Sequence, residues 1–415
     1  MATTQKPNKA LQVPTPPLGF EDAVHRAVSH VQAATAALLE ALPGAPRAAP
    51  ELASSLSVDK NLAWKVFRLV RERDRLAGGR FVLGPQAMGI LLRAAEDRGG
   101  PADLITDLRD ASAEFEDVVR THAGDRASFE MMLSAAGPEP DESTEIALRR
   151  AAFRSNGYFV GVQARAQVQT FIAAPSANAD MVDGASLRSL VDLRRIRAGA
   201  PVVIGRAACT DSGGVFLHPG GVETLDDSVS PGEMPLIPEF CTSPLPEFRR
   251  VLGERGFVED TLGEGPVGST GAITVTAGEV MRQTNPRKPV PGDELAQMVT
   301  RIRTPCEVVI SDYIVHHDLY GPLAPTLDVY CDVMGEAMRR REERPRYRRA
   351  VTERIEHLGR GIDTAQTPEV PRYAKLLRYI FNRLSWDPSA FDVYRVRMEY
   401  PFVPSSMVIV HEIPK

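Results

Sequence analysis

The segment ELASSLSVDKNLAWKVFRLVRERDR, residues 51–75, predicts two short helices joined by a tight turn. Pro50 suits the first position of a helix, because the backbone N–H that proline lacks would have no helical partner there. The turn LSVD at residues 56–59 ends in Asp59, which is a suitable N-cap for a second helix that begins at Lys60. The pattern therefore predicts a compact helical pair near the N-terminus.

The second helix has two distinct faces. Its apolar residues recur at helical spacing and form a stripe that we expect to be buried: Leu62, Ala63, Val66, Leu69 and Val70. The opposite face carries Trp64, which suits either the core or the surface, and five polar residues: Lys60, Asn61, Lys65, Arg68 and Arg71. Long cations and an amide on an exposed helix are groups that contact phosphates and base edges. These five residues are the candidate DNA-binding residues.

The same segment resembles the helix-turn-helix of bacterial transcription regulators over residues 50–75. Four residues fit the family pattern of a small residue, a hydrophobic residue and a tight turn: Ala53, Leu56, Val58 and Asp59. Ser57 stands where glycine is commoner, and Leu62-Ala63-Trp64 replaces the more usual Thr-Val-Ser. The resemblance implies a helical DNA-binding domain. The alternative interpretation is a helical hairpin that only supports a larger α-helical domain.

The charge around this segment is opposite to that of the whole chain. Residues 47–80 contain eight Lys and Arg residues and four Asp and Glu residues, a local net charge of +4, whereas the chain carries −5. A basic region on an acidic protein favours contact with nucleic acid. Solvated Arg-rich helix faces give the same pattern, so the charge supports the helix-turn-helix interpretation without deciding it.

Length and composition indicate a globular protein of two or three domains. The 415 residues are 43% hydrophobic and 25% charged, and no apolar run approaches the roughly 20 residues that span a bilayer. Residues 1–18 read as a Pro-rich disordered tail without a signal peptide. The four cysteines, Cys209, Cys241, Cys306 and Cys331, lie far apart without a CxxC motif. They indicate reduced structural thiols in a cytoplasmic protein.

Hydrophobic periodicity predicts an α+β fold, with a helical domain at residues 19–140 and a mixed α+β domain at residues 141–415. Helices are predicted over residues 20–42, 85–97, 101–122, 125–136, 145–154, 187–198 and 371–384. Strands are predicted over residues 158–174, 201–205, 272–280, 298–303, 307–316, 326–331, 391–400 and 407–413. The Ala and Gln content of residues 158–174 is also compatible with a helix. A terminal hairpin is expected about residues 401–404, and residues 78–84 suit either a short wing or a loop.

A possible metal site lies at the end of one predicted strand. Imidazole and carboxylate groups at Asp312, His316 and His317 are metal-ligand types. On a strand, however, the two histidines should point to opposite faces, so that only His316 shares a face with Asp312. A complete site would then need distant partners such as His218, Asp328 or His411. We interpret the segment as a polar strand end, and expect no bound metal.

Three other segments have simpler interpretations. Ser212, beside Gly213-Gly214 and His218, lacks a nucleophile or phosphate-loop motif and reads as a loop. The Gly-rich residues 263–272 lead into a strand rather than a helix, so they do not predict a nucleotide site. Residues 339–349, RRREERPRYRR, carry a net charge of +5. They suit either a phosphate-binding segment or a solvated linker, and we favour the linker.

The sequence thus predicts a DNA-binding protein, a transcriptional regulator of the bacterial cytoplasm. Its partners would be double-stranded DNA, a second copy of the chain in a homodimer, and a small-molecule effector sensed by residues 141–415; no membrane partner is expected. No catalytic residue and no cofactor is predicted. The alternative is a non-enzymatic structural or assembly protein. A third and weaker hypothesis is an enzyme whose site is assembled from scattered residues.

Overall fold

The computed structural model of the protein describes residues 18–136, 142–200, 202–208, 222–230, 233–252, 257–291, 294–331 and 347–414. The chain divides into two compact units, Met1–Thr144 and Glu145–Lys415. The described residues are 41% helix and 31% strand, and all of the described strands lie in the second unit. The predicted α+β class is confirmed. No described helix combines the length and apolarity needed to cross a bilayer.

The described part of the first unit is helical. Its helices are α1 (Phe20–Ala41), α2 (Ala49–Leu56), α3 (Lys60–Arg71), α4 (Arg75–Gly78), α5 (Pro85–Asp97), α6 (Ala102–His122) and α7 (Arg126–Ala136). Their apolar faces share one core, in which Val28, Leu52, Phe115 and Phe129 are fully buried. Fully burying one such side chain contributes roughly 1.5–3 kcal/mol, so this shared core is what holds the short helices in position.

The segment between α4 and α5 contains no strand, so the wing that the sequence allowed is not present. A single 3₁₀ turn, Gly79–Phe81, follows α4 instead. A Cβ at Gly79 would lie 2.9 Å from the Leu133 side chain, so glycine permits the close approach of this turn to α7. The turn brings Phe81 alongside α3, where it becomes part of the surface described below.

One helix, Glu142–Val160, begins just before the unit boundary and continues into the second unit, which is dominated by strands. The helices are α8 (Glu142–Val160), α9 (His317–Tyr320) and α10 (Tyr373–Leu384). The strands of the first half are β1 (Val162–Pro175), β2 (Met181–Arg195), β3 (Val202–Ala208), β4 (Val222–Thr224), β5 (Phe248–Leu252), β6 (Phe257–Leu262) and β7 (Ile273–Pro286). Those of the second half are β8 (Leu295–Ile302), β9 (Cys306–His316), β10 (Thr326–Cys331), β11 (Arg348–Arg349), β12 (Glu356–Arg360), β13 (Phe391–Glu399) and β14 (Ser405–Glu412).

These strands form three sheets. The largest has the order β12-β13-β9-β1-β2-β7-β4, and β1 and β9 are its parallel pair. The other two sheets are β11-β10-β14-β8 and β3-β6-β5. On β9, Ile310 and Ile314 face the core shared with α10, whereas Val309 and Tyr313 face the core shared with the four-stranded sheet. Alternation along each strand therefore buries both faces of the large sheet.

Residues 158–160 belong to α8 rather than to the strand predicted over residues 158–174, and two further secondary-structure predictions for this unit were wrong. Residues 187–198 were predicted as a basic helix, but residues 187–195 belong to β2. This strand pairs with β1 on one side and β7 on the other, and two ladders of backbone hydrogen bonds outweigh the weak helical pattern of its leucines and arginines. The expected terminal hairpin is also absent, because β13 and β14 belong to different sheets and residues 400–404 cross from one to the other.

Candidate nucleic-acid interface

The turn between α2 and α3 has three residues, and the first has a left-handed backbone. Ser57 follows the last turn of α2 with φ 53° and ψ 41°. Val58 then donates its N–H to the carbonyl of Ala53 over 3.1 Å. Glycine is favoured at such a helix C-terminus because a Cβ is strained there. The backbone at Ser57 therefore has the conformation in which glycine would be the commoner residue.

Both ends of α3 are fixed by side-chain hydrogen bonds. The Asp59 carboxylate accepts the N–H groups of Asn61 and Leu62 over 2.7 and 3.4 Å, which confirms the predicted N-cap. At the other end, Gln32 on α1 donates its amide N–H groups to the carbonyls of Leu69 and Glu72 over 2.7 and 3.0 Å. Capping both ends of a twelve-residue helix fixes the phase of its outer face.

The two faces of α3 have the predicted orientation. The buried residues are Leu62, Ala63, Val66, Phe67 and Leu69, and Val70 is half-buried. The exposed residues are Lys60, Asn61, Trp64, Lys65, Arg68 and Arg71. Val66 is 1% exposed, whereas the side chain of Arg68 is 52% exposed. All five candidate DNA-binding residues therefore lie on one accessible helix, which we call the α3 outer face.

The cations of the α3 outer face differ in how firmly they are held. Arg71 donates to the carbonyl of Arg47 over 2.8 Å and lies over the ring of Phe67. In contrast, Lys60 and Lys65 form no ion pair within 4.0 Å with any residue in the described ranges. The two lysines are therefore the cations of this face most readily available to a phosphate, and Arg71 is already oriented by the protein.

Trp64 lies on the surface rather than in the core. Its side chain is 51% exposed and meets Phe81 edge-on, with ring centroids 5.9 Å apart. The Arg68 guanidinium lies 5.0 Å from the Phe81 ring centroid and 3.7 Å from the carboxylate of Glu72. An aromatic and cationic surface therefore occupies the middle of the α3 outer face, where cation–π contacts limit the motion of Arg68.

The four acidic side chains of residues 47–80 serve as backbone caps. Besides Asp59, Glu51 accepts the N–H of Arg47 over 2.8 Å. Glu72 accepts the N–H groups of Arg73 and Asp74 over 3.0 and 3.3 Å, and Asp74 in turn caps α4. The carboxylates are thus fixed at helix ends, and only Glu72 also pairs with a cation of the α3 outer face. The positive charge of that face remains largely uncompensated by direct contacts.

The grouping of Asp312 with His316 that a metal site would have required does not form. The Asp312 carboxylate is fully buried and accepts hydrogen bonds from Arg395 and from the hydroxyl of Tyr373. Arg395 was not predicted from the sequence, because it is one of four charged residues in the segment FDVYRVRMEY and no local signal marks it as the buried one. The distant candidates are also engaged elsewhere: Asp328 pairs with Arg348, His411 bonds to the hydroxyl of Tyr313, and His218 lies outside the described residues.

The prediction that His316 and His317 point to opposite faces was wrong. β9 ends at His316 and α9 begins at His317, so strand alternation no longer applies, and the two rings stack with centroids 4.8 Å apart. One ligand atom from each histidine and from Asp318 lies within 4.8 Å of the others. His317 is held by the carbonyl of Ala390 through Nδ1 at 2.7 Å. The three groups sit on a partly exposed turn, and the expectation of no bound metal stays a prediction.

The remaining candidates lie mostly outside the described residues. This applies to Cys209, to Ser212 and to most of the basic run at residues 339–349. Its last two residues form β11 beside β10, with Arg349 donating to the Cys331 sulfur over 3.1 Å. Among the described cysteines, Cys241, Cys306 and Cys331 are free thiols. Burial raises the pKa of the Cys306 thiol to about 12, so this residue stays protonated and unreactive.

Comparison with known proteins provides no family for this chain. No family model and no curated protein matches the sequence. One solved structure, described as a "putative protease" from Parabacteroides distasonis, aligns over 61% of this chain at 8% identity with a TM-score of 0.28. This chain spans 41% of the length of that protein. A similarity at this level carries no argument about fold or activity.

Proposed function

We propose that this chain is a DNA-binding protein, a transcriptional regulator that places α3 along duplex DNA. The observation that carries the proposal is the α3 outer face, which exposes Lys60, Asn61, Lys65, Arg68 and Arg71 while the opposite side of the helix is buried. The three-residue turn and the capped helix fit the helix-turn-helix resemblance. The second unit would then serve ligand sensing, dimerisation or both.

The cationic residues would bind phosphates, and Asn61 would be available for a base edge. Lys60 and Lys65 would contribute point charges, whereas the fixed guanidinium of Arg71 would orient the helix on the backbone. One short helix buries little surface, so a homodimer on two half-sites about 34 Å apart would supply the remaining affinity and specificity.

Binding of the full-length protein to a labelled random-sequence duplex tests the proposal. Four phosphate contacts per protomer predict that the logarithm of the affinity falls with the logarithm of salt concentration with a slope of about −3 to −4 for each protomer that binds. Lys65→Ala should weaken binding and make this slope shallower by about one unit for each protomer that binds. Arg109→Ala removes an exposed cation from α6 and should leave both quantities unchanged. Absence of binding at low salt would overturn the proposal.

Trp64 offers an independent measurement. The chain has two tryptophans, so a Trp386→Phe background leaves Trp64 as the only indole. Because Trp64 lies on the α3 outer face, bound DNA should change its fluorescence with the same affinity as the duplex assay gives. Binding that leaves this emission unchanged would place DNA elsewhere on the protein. Selection of bound sequences from random duplexes would then define the operator.

One observation favours the alternative of a structural or assembly protein. Tyr158 and Phe159, at the end of α8, are 68% and 72% exposed and contact each other edge-on at 5.5 Å. Large exposed aromatic side chains are enriched at protein–protein interfaces. If the protein binds no duplex but Tyr158→Ser with Phe159→Ser converts an oligomer into a monomer, the assembly function is favoured.

A further inference from the structure

A small cavity in the second unit lies between the large sheet and the three-stranded sheet. Its polar lining includes Ser186 and Arg188 on β2 and Glu279 on β7. Leu190 and Val275 form part of its apolar lining. Its free volume is about 70 Å³. Since one water needs about 10–15 Å³ on this measure, the cavity has room for roughly five to seven non-hydrogen atoms.

Arg188 and Glu279 present opposite charges to this cavity without touching each other. In the β2–β7 ladder Arg188 is opposite Ala277 and Glu279 is opposite Ser186, so the two charged residues are diagonal neighbours on one face. Neither forms an ion pair within 4.0 Å with any residue in the described part of the chain. The cavity therefore contains a separated cation and anion.

The head group of Arg188 is only weakly satisfied by the protein. Its two hydrogen bonds, to the side chain of Gln169 and to the carbonyl of Ile204, are both 3.4 Å long. Burial lowers the pKa of Arg188, and burial raises the pKa of Glu279, because each charged form has lost water. A ligand that hydrogen-bonds both groups would replace the hydration that each has lost.

Two further groups of charged residues lie near the cavity. Arg250 and Asp260, which also line it, form a bidentate pair at 2.7 and 2.9 Å and are therefore already matched. On its other side Arg188 lines a second cavity together with Arg301 and Arg303. These two arginines make the surroundings of Arg188 more positive, which favours an anionic group of the ligand at that end.

We propose that the cavity binds a small α-amino acid in its zwitterionic form. The carboxylate would pair with Arg188 and the ammonium group with Glu279, while Leu190 and Val275 would contact the carbon atoms. The volume fits glycine, alanine or serine. In the regulator proposed above, this amino acid would be the effector sensed by the second unit. Only that regulatory role rests on the proposed function, because the binding itself is measured without DNA.

Calorimetric titration of the full-length protein tests the site with glycine, L-alanine and L-serine. At least one should bind with a Kd of about 1 mM or tighter, equivalent to about −4 kcal/mol. Propionate and ethylamine, which each keep one of the two charges, should bind at least about tenfold more weakly than L-alanine. Failure of all three amino acids overturns the proposal, as does propionate binding equal to that of L-alanine, which would indicate a simple anion site.

A variant that keeps the side-chain shape but removes one charge tests which end of the ligand each residue binds. Glutamine has nearly the same shape as glutamate but no charge. Glu279→Gln should therefore abolish the preference for L-alanine, so that propionate binds at least as tightly as L-alanine. Glu356→Gln removes an exposed carboxylate from β12 of the same sheet and should leave L-alanine affinity unchanged. Far-ultraviolet circular dichroism checks folding of both variants. A folded Glu279→Gln protein that still prefers L-alanine overturns the assignment of the ammonium end.

Discussion

Asp312 on β9 and Arg395 on β13 lie directly opposite each other and form a bidentate ion pair in the interior of the second unit. The Nε–Oδ1 and Nη2–Oδ2 distances are 2.8 and 2.7 Å, and the Asp312 side chain has no exposed surface. The hydroxyl of Tyr373 donates to the same carboxylate over 2.7 Å, and Thr170 lies 2.7 Å from that hydroxyl. The pair joins the large sheet to α10 and leaves the carboxylate fully satisfied.

Breaking this pair should destabilise the second unit strongly. Arg395→Met leaves the Asp312 carboxylate buried without its cation, which should lower the free energy of unfolding by about 3–5 kcal/mol. Arg165→Met, which breaks the exposed 2.6 Å pair with Asp192, should cost about 1 kcal/mol or less. Urea unfolding followed by Trp386 fluorescence in a Trp64→Phe background measures both. Equal losses in the two variants would show that the buried pair has no special role.

The left-handed residue in the α2–α3 turn gives a second prediction. Ser57→Gly should leave the first unit as stable or raise its free energy of unfolding by up to about 1 kcal/mol, because glycine adopts this backbone without strain. Ser57→Val should lower it by about 1 kcal/mol or more, since a β-branched side chain is poorly tolerated there. Thermal unfolding monitored through Trp64 compares the three proteins. Valine tolerated as well as glycine would contradict the turn geometry.

The sequence predicted elements with strong local signals and missed what depends on distant partners. The spacing of apolar residues at the helical period of 3.6 correctly predicted the buried and exposed faces of α3. Asp59, as an N-cap, correctly predicted where that helix begins. β2 was misassigned because its ladders to β1 and β7 are invisible in a local window. Likewise, the chain turns after His316, so strand alternation did not extend to His317. The partner of Asp312 lies 83 residues away, where local periodicity provides no pairing information.

His411 should make the stability of the second unit depend on pH. Burial lowers the pKa of His411, whose Nε2 lies 3.1 Å from the Tyr313 hydroxyl and whose Nδ1 lies 2.9 Å from the Glu412 carbonyl. In the unfolded chain the pKa of His411 is near the ordinary value of 6.5, whereas in the folded chain this pKa is lower, so the folded protein binds the proton less readily. Stability conferred by neutral His411 is therefore present above about pH 6.5 and decreases as pH falls below it.

His411→Gln should make this decrease shallower. Urea unfolding between about pH 7.5 and pH 5, read through Trp386, should show a smaller loss of stability in the variant than in the wild type, even if the variant is less stable at neutral pH. His25→Gln removes an exposed histidine from α1 and should keep the wild-type slope. A wild-type slope in His411→Gln would mean that this imidazole does not resist protonation in the folded state.

Two substitutions on α3 separate DNA contact from packing. Arg68 and Val66 are two positions apart, about 200° around the helix, so one side chain faces solvent while the other faces the core. Arg68→Ala should weaken duplex binding and make the salt slope shallower by about one unit for each protomer that binds, with little change in melting temperature. Loss of the Glu72 pair and of the stacking on Phe81 should cost under about 1 kcal/mol because both are exposed.

Val66→Asp should instead unfold the first unit. An unpaired carboxylate in this core costs several kcal/mol, a large share of the roughly 5–15 kcal/mol that stabilises a domain. Trp64 fluorescence in the Trp386→Phe background reports on this unit, and duplex anisotropy reports on binding, with Arg109→Ala as the charge control. If Arg68→Ala melts early, its side chain is a packing element of the fold. If it melts and binds as the wild type does, Arg68 does not contact DNA, and the α3 outer face must be reassigned.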